Sequence, residues 1–138
     1  PFLQAGEEFA RTKKGEDNSY ASSALLNQLD WKRTAACPGL VEYYRGLIAV
    51  RKFFPQFRMR DAESIRKIRF ETLEGGAVAA DFGGLLLIVN PAAHPLKYEN
   101  GRRMMVYADH ITAGTRPLFI ADGAVSVAPR GIILAEYR

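Results

Sequence analysis

The first 31 residues constrain this chain most, because a short apolar segment at residues 1–6 runs into a long polar one. The segment Pro-Phe-Leu-Gln-Ala-Gly is typical of a buried strand, since strands of parallel sheets are short, apolar and closed by small residues. A single strand cannot bury itself without neighbouring strands. We therefore expect the chain to be part of a larger protein that supplies those neighbours.

Composition excludes several classes of function. With 48% hydrophobic and 25% charged residues, the 138-residue chain is typical of a globular domain. Its longest apolar run, residues 85–89, is far shorter than the roughly 20 residues that span a bilayer, so no membrane partner is predicted. The net charge of +4 comes with no nucleic-acid-binding motif, and no nucleic-acid partner is predicted. Cys37 stands alone, which excludes an internal disulfide and leaves cytoplasmic and secreted locations open.

The pattern after the opening segment is that of one β/α unit. Residues 11–36 are polar and without periodicity, as in a long functional loop, with a short helical turn predicted at 22–29. Residues 38–54 predict a helix, because Pro38 suits a first turn and apolar residues recur at helical spacing. Pro55 ends that helix. Strand, loop and helix in this order build barrel and doubly wound enzymes.

From residue 57 onward the pattern favours strands. Asp61 is predicted to cap a helical turn over residues 61–66. Eight short runs rich in strand-forming residues follow: 67–73, 77–82, 85–90, 96–98, 104–108, 117–120, 124–127 and 131–137. Gly83 and Gly84 between two of them predict a two-residue hairpin turn. Strands at this spacing indicate an antiparallel sandwich or barrel, and we place the domain boundary at residues 55–60.

No residue of the chain is predicted to be catalytic. Glycoside hydrolysis needs two carboxyl groups about 5 to 9 Å apart. Glu7 and Glu8 are neighbours in a predicted strand, so their side chains should point to opposite faces, and Glu8 is interpreted as a structural acid near the site. His94 and His110 have no spacing of metal ligands. No phosphate loop, nucleophile elbow or dinucleotide motif occurs, so neither a metal nor a cofactor is predicted.

The polar loop is the best candidate for binding. It combines amides, hydroxyls and a carboxylate with two aromatic rings, at Asn18, Ser19, Tyr20, Asn27, Asp30 and Trp31. Sugars are bound in this manner, by hydrogen bonds at the rim and by ring stacking. The same residues could instead build the loop, with Trp31 and Tyr20 packing it down and the asparagines capping turns. Composition favours neither interpretation.

Four motifs in fixed order resemble the C-terminal part of type I pullulanases, debranching enzymes of glycoside hydrolase family 13 in the α-amylase superfamily. The family pattern Pro-Phe-Leu-x-Ala-Gly-x-Glu-Phe is matched by residues 1–9, and Arg-x-Lys by Arg11 and Lys13. Asn-Ser-Tyr follows at residues 18–20. Asn-x-x-Asp-Trp is matched by Asn27, Asp30 and Trp31. The resemblance is strongest over residues 1–60.

The resemblance implies two domains. Residues 1–56 would be the last β/α unit of a catalytic (β/α)8 barrel, with strand 8, an active-site loop and helix 8. Residues 57–138 would form an all-β antiparallel sandwich domain. The parent enzyme would cleave α-1,6-glucosidic links in pullulan, starch or glycogen, and its catalytic carboxylates would precede this chain, which alone should be inactive. The implied partners are an α-glucan and the remainder of the barrel.

The resemblance also implies which residues bind substrate. The candidates are Arg11, Asn18, Tyr20, Asn27, Asp30 and Trp31. One departure from the family pattern is expected to weaken substrate binding by this loop. Relatives read Asn-Ser-Tyr-Asn-Ser-x-Asp, whereas this chain has Ala21 and Ala24 at the second Asn and at the Asp. Losing a hydrogen bond to a charged group costs about 1.5 to 3 kcal/mol unless another contact compensates.

Two further expectations concern the chain by itself. It could serve as a non-catalytic glucan-binding or structural β-sandwich module, in which Tyr98, Tyr107 and Phe119 are either a binding platform or part of the core. An unpaired strand at residues 1–6 would also invite association, so an oligomer or a swapped dimer is predicted, or else disorder of residues 1–36.

Overall fold

The structure is a computed structural model that describes residues 2–137, in two compact units of which the first ends at Tyr44 and the second begins at Arg45. The four α-helices are α1 (Ala24–Asn27), α2 (Arg33–Ala36), α3 (Pro38–Phe53) and α4 (Ala62–Arg66). Short 3-10 helices lie at Glu7–Phe9, Pro55–Arg58 and Glu74–Gly76. The strands are β1 (Arg69–Thr72), β2 (Val78–Asp81), β3 (Leu85–Asn90), β4 (Leu96–Ala108), β5 (Phe119–Val127) and β6 (Gly131–Tyr137). The predicted boundary between residues 56 and 57 stays a prediction.

The strand predicted at residues 1–6 is wrong over residues 2–6, and Pro1 lies outside the described residues. Residues 2–4 have no regular structure, and a turn leads into the 3-10 helix Glu7–Phe9. The physical reason is that no described strand pairs with this segment: the Gly6 carbonyl instead accepts hydrogen bonds from the N–H groups of Phe9 (3.2 Å) and Arg11 (2.8 Å). The last β/α unit of a barrel therefore stays a prediction, as does the swapped dimer.

The helices follow local sequence signals closely. The turn predicted at 22–29 is α1, and the helix predicted over 38–54 is α3, which stops one residue earlier than predicted. Pro55 then begins a 3-10 helix. Asp61 caps α4 as predicted, because its carboxylate accepts a hydrogen bond from the N–H of Ser64 at 2.7 Å.

The second unit contains one antiparallel sheet of six strands in the order β1-β2-β3-β6-β4-β5. The antiparallel prediction is confirmed. β4 pairs with both β5 and β6, so the six strands are hydrogen-bonded in one continuous series. The gaps between the runs predicted at 96–98 and 104–108, and between those at 117–120 and 124–127, lie inside long strands instead. A bulge between Glu99 and Arg103 accommodates them, with Gly101 and Gly123 at positive φ (68° and 78°).

Apolar residues cover both faces of the sheet, as alternation along β3 shows. Leu86 and Ile88 join an inner cluster with Met104, Val106 and Ile133. Leu85 and Leu87 point to the other face, where they pack with the end of α3. Phe54 meets the Tyr107 ring edge-on there, at 5.0 Å between ring centroids. Tyr107 is only 6% exposed and is a core residue.

The hairpin predicted at Gly83 and Gly84 is confirmed by the antiparallel pairing of β2 with β3. Both glycines have positive φ (81° and 101°), which two-residue hairpin turns require. Asp81 Oδ1 accepts hydrogen bonds from their N–H groups at 2.9 and 3.1 Å. The Tyr137 hydroxyl donates to Asp81 Oδ2 at 2.6 Å, which ties the hairpin to β6.

The Asp81 carboxylate should make stability pH-dependent. Burial raises the pKa of Asp81, but hydrogen bonds from Tyr137, Gly84 and Gly83 outweigh burial and hold the pKa below its usual range. Because the folded state favours the charged form, this stabilisation is complete above the unfolded pKa of about 4. It is lost as the pH falls through the folded pKa. Tyr137→Phe should therefore cost about 1 kcal/mol at pH 7 and less at pH 3.

Urea denaturation at the two pH values measures this difference. Tyr20→Phe is the matched control, because the Tyr20 side chain is 89% exposed and the substitution removes the same hydroxyl. An equal loss at both pH values for Tyr137→Phe would show that the bond to Asp81 is not what the hydroxyl contributes.

Candidate functional site

Two arginines hold the polar loop of the first unit in place. Arg11 donates to the carbonyls of Ala5, at 3.3 Å, and of Asn27. Arg33 donates from Nε to the Phe9 carbonyl at 3.3 Å and from Nη2 to the Ala10 carbonyl at 2.8 Å. Each guanidinium thus joins the start of the loop to its end, because its fixed fork of donors reaches two carbonyls at once. These bonds give the loop a defined shape.

A second set of bonds closes the middle of the loop around Asn27. Its amide donates to the carbonyls of Ser19 at 2.7 Å and Ser22 at 3.3 Å, and its Oδ1 accepts from the Ser19 hydroxyl at 3.0 Å. Ser19 is buried and also accepts from the Lys13 ammonium. The side chain of Asn27 is therefore occupied by the loop itself.

The two aromatic residues of the loop have different environments. Trp31 packs on the buried ring of Phe9, with 5.4 Å between ring centroids, and remains 62% exposed. Tyr20 has an 89% exposed side chain. Trp31 is thus fixed on one side and open on the other, which suits a stacking platform.

Glu7 and Glu8 lie in a 3-10 helix, so the prediction that they alternate along a strand is wrong. Each accepts a local backbone hydrogen bond: Glu7 from the N–H of Gln4 at 3.2 Å, and Glu8 from that of Gly6 at 3.0 Å. Burial raises the pKa of Tyr44 on α3, as do a hydrogen bond and charge from Glu7 and the charge of Glu8. Both carboxylates therefore lie close to Tyr44, and the structural role of Glu8 stays a prediction.

A cleft of about 620 Å³ opens beside this framework. Its lining residues are Arg11, Thr12, Lys14, Ser23, Leu25, Leu26, Gln28, Asp30 and Arg33. Three of them are cations, Asp30 is an acceptor, and the two leucines of α1 add an apolar wall. A ligand with hydroxyl groups on an apolar ring could bind here, because its hydroxyls would meet both donors and an acceptor and its ring would meet the leucines.

The structure brings only two of the predicted binding residues to the cleft. Arg11 and Asp30 line it, whereas Asn18, Tyr20, Asn27 and Trp31 do not. Asn18 and Tyr20 are exposed elsewhere on the loop. The sequence analysis did not identify Lys14, Gln28 and Arg33, which also line the cleft. In the sequence they look like ordinary solvated residues, and only the positions of α1 and α2 show that they line the cleft. The binding roles of all six candidates stay predictions.

Within residues 2–137, no group of three or more His, Cys, Asp or Glu side chains is arranged to hold a metal ion. Over the same residues, no helix combines the length and apolar character needed to cross a membrane.

Comparison with known proteins relates this architecture to one enzyme family. No family model matches the chain. A curated pullulanase of Bacillus subtilis strain 168 is 49% identical over 67 residues, which is 49% of this chain and 9% of that protein. The solved structure of pullulanase type I from the same strain, complexed with maltose, covers 100% of this chain at 30% identity and a TM-score of 0.84. The chain is similar to the C-terminal part of a type I pullulanase.

The pullulanase resemblance predicted from the sequence is thereby confirmed. The pullulanase of Bacillus acidopullulyticus has the same fold over 99% of this chain, with a TM-score of 0.89 at 26% identity. The six-stranded antiparallel sheet corresponds to a pullulanase C-terminal domain. The chain spans 18% and 21% of the two solved pullulanases.

Proposed function

We propose that this chain is a C-terminal portion of an α-glucan debranching glycoside hydrolase that cleaves α-1,6-glucosidic links in pullulan, starch or glycogen. The observation that carries the proposal is the 49% identity to a pullulanase over 67 residues. In this proposal residues 1–56 complete a (β/α)8 barrel with the remainder of the parent enzyme, and the β domain follows. The site of such barrels is built by loops after the strands, which gives residues 11–33 a place in it.

The proposed contribution of the loop is to hold glucose units. The cleft offers donors from Arg11 and Arg33 and an acceptor at Asp30. Trp31, the next residue in the sequence after Asp30, has an exposed ring. A solved relative of the same fold is complexed with maltose, an α-glucan fragment, which supports this class of ligand. The arginines already bind backbone carbonyls, so they would position the loop and offer only their remaining N–H groups to sugar.

The chain alone should not catalyse the reaction. Glycosidic cleavage requires two carboxyl groups on either side of the bond. Among the described residues that line the cleft, Asp30 alone is acidic. Glu7 and Glu8 accept local backbone bonds and lie beside Tyr44. The catalytic pair is therefore proposed to come from the remainder of the barrel.

The alternative function, a glucan-binding β domain, receives less support. Of the three aromatic residues considered for a platform, Tyr107 is buried against Phe54, and Tyr98 packs partly into the inner core. Phe119 alone is exposed, at 43%. A single ring at a strand end provides little stacking surface, so a structural role of the β domain is favoured.

The complete product of the gene that encodes this chain tests the proposal. It should release reducing ends from pullulan and none from linear amylose, which contains only α-1,4 links. The 138-residue chain alone should release none from either, because removing catalytic groups lowers rates by several orders of magnitude. Cleavage of amylose but not pullulan, or activity of the isolated chain, would contradict the proposal.

The loop is tested in the same assay with Asp30→Asn. The amide still accepts the bond that Asp30 Oδ1 receives from the N–H of Lys32 (3.1 Å), so the turn is preserved while the charge is lost. We expect KM for pullulan to rise about tenfold, since a hydrogen bond to a charged group is worth about 1.5 to 3 kcal/mol. The matched control is Asp17→Asn, an exposed residue outside the cleft, which should leave KM unchanged.

A further inference from the structure

Strand β1 forms an open edge of the sheet. It stands first in the strand order, and among the described residues its ladder partner is β2. All four of its residues are exposed, and its register with β2 has no bulge. Such an edge presents unpaired N–H and C=O groups to any strand that can align with them.

The register shows which backbone groups are unpaired. Hydrogen-bonded and non-hydrogen-bonded pairs alternate along antiparallel strands. Leu73 donates to the Ala77 carbonyl at 2.8 Å, so Glu71 and Arg69, two and four residues earlier, also bond toward β2. The N–H and C=O groups of Phe70 and Thr72 therefore point to the open side.

The opposite edge, β5, is less regular. Gly123 interrupts it with a φ of 78°, next to the bulge between Glu99 and Arg103 of β4. Bulges and kinks of this kind protect an edge from pairing. The β1 edge contains neither proline nor glycine.

We propose that β1 pairs with β1 of a second copy of this chain, antiparallel across a two-fold axis through Phe70. In this register Phe70 lies opposite Phe70 of the second copy. Arg69 of each copy lies opposite Glu71 of the other, which gives two pairs of opposite charge. The opposite charges on the strand therefore attract across the axis, whereas like charges would deter pairing. The interface is isologous, which closes the assembly at two copies.

The side chains of β1 suit this partner. Phe70 is 71% exposed and shares a sheet face with Ala80, its partner in β2. Pairing would place two Phe70 rings side by side on that face and remove apolar surface from water. A four-residue strand buries much less than the roughly 1,600 Å² of a standard interface, so the dimer is weak and depends on concentration.

Symmetric cross-linking tests the register directly. In a Cys37→Ser background, Phe70→Cys places two thiols at a pair about 5.5 Å apart between Cα atoms, which a disulfide can span. Thr72→Cys is the matched control: it lies on the same edge and face, but its two copies are four residues out of register, about 13 Å apart. Under mild oxidation we expect Phe70→Cys to give a species of twice the 15.4 kDa monomer mass, at least tenfold more than Thr72→Cys.

Charge exchange provides a second measurement that needs no cysteine. Glu71→Arg places arginines opposite each other and should weaken the dimer seen by sedimentation equilibrium at least fivefold. Adding Arg69→Glu to it exchanges the two charges, restores complementarity and should restore the dimer. Because the double variant carries both substitutions, its recovery excludes a simple loss of folding in the single one.

Three outcomes would overturn the proposal. One is equal cross-linking of the two cysteine variants, which indicates random collision or another register. Another is a dimer that Glu71→Arg leaves unchanged, which places the contact elsewhere on the chain. The third is a monomer at all concentrations with no cross-link at residue 70. None of these results bears on debranching activity, which is assayed separately.

Discussion

Replacing Gly46 with alanine is expected to destabilise the second unit by about 3 kcal/mol. A Cβ atom at Gly46 on α3 would lie 2.1 Å from the carbonyl oxygen of Ala113 and 2.7 Å from its carbonyl carbon. Both contacts are far below any van der Waals distance, and both involve backbone atoms. In most helices the same substitution stabilises by about 0.5 to 1 kcal/mol, so the expected sign is opposite to the usual one.

The segment that meets Gly46 has little freedom to move away. Ala113 forms a bridge with Ala108, and the adjacent Gly114 donates to the Tyr107 carbonyl at 2.9 Å. Asp109 Oδ1 accepts from the N–H groups of Ile111 and Thr112 at 2.8 and 2.7 Å, which fixes the turn. Relief of the clash must therefore displace α3 from the sheet or break these bonds.

The control for this experiment lies on the same helix. A Cβ atom at Gly39 would have no heavy atom within 4 Å beyond its own helix, so Gly39→Ala should leave stability unchanged or raise it by up to about 1 kcal/mol. Urea denaturation followed by circular dichroism compares the two variants. If Gly46→Ala were as stable as Gly39→Ala, the close approach of α3 to Ala113 would be wrong.

The elements that sequence predicted correctly are those with local causes. Pro38 and Pro55 bracket α3, Asp61 caps α4, and the two glycines at 83–84 set their hairpin. Each signal acts within a few residues, so one sequence suffices to read it. The strands predicted as separate runs at 96–98 and 104–108 are one strand, because a bulge absorbs the glycine that would otherwise make a turn.

The opening segment and the loop could not be predicted in the same way. Residues 2–6 have the composition of a strand, but a strand also needs a partner that no local pattern supplies. Asn27 was interpreted as a sugar ligand, yet its amide binds Ser19 and Ser22. The cleft depends on how the residues around Arg11, α1 and α2 come together, and such contacts leave no periodic signal in the sequence.

Replacing Asn90 with alanine is expected to cost about 3 kcal/mol, because it removes the hydrogen bonds by which one buried side chain holds the backbone of two turns. Asn90 is 2% exposed at the end of β3. Its amide donates to the carbonyls of His94 at 2.9 Å and Ala128 at 3.0 Å, and its Oδ1 accepts from the N–H of Ala92 at 3.1 Å. One side chain thus joins the turn after β3 to the turn after β5. Asn100→Ala, which removes a single accepted bond from Arg102, should cost less than about 1 kcal/mol.

The isosteric variant Asn90→Asp tests the hydrogen bonds donated by the amide separately from the size of the side chain. It keeps the shape and the acceptor for Ala92, but it places a carboxylate oxygen against the carbonyl oxygens of His94 and Ala128, where the amide had donated. A buried carboxylate whose second oxygen faces carbonyl oxygens and receives no hydrogen bond is costly, so at pH 7 the loss of stability should equal or exceed that of Asn90→Ala. Protonation would restore a donor, so the folded-state pKa is raised and the loss should shrink as the pH falls below it. Asn90→Asp with wild-type stability at pH 7 would show that the amide donor does not hold the two turns together.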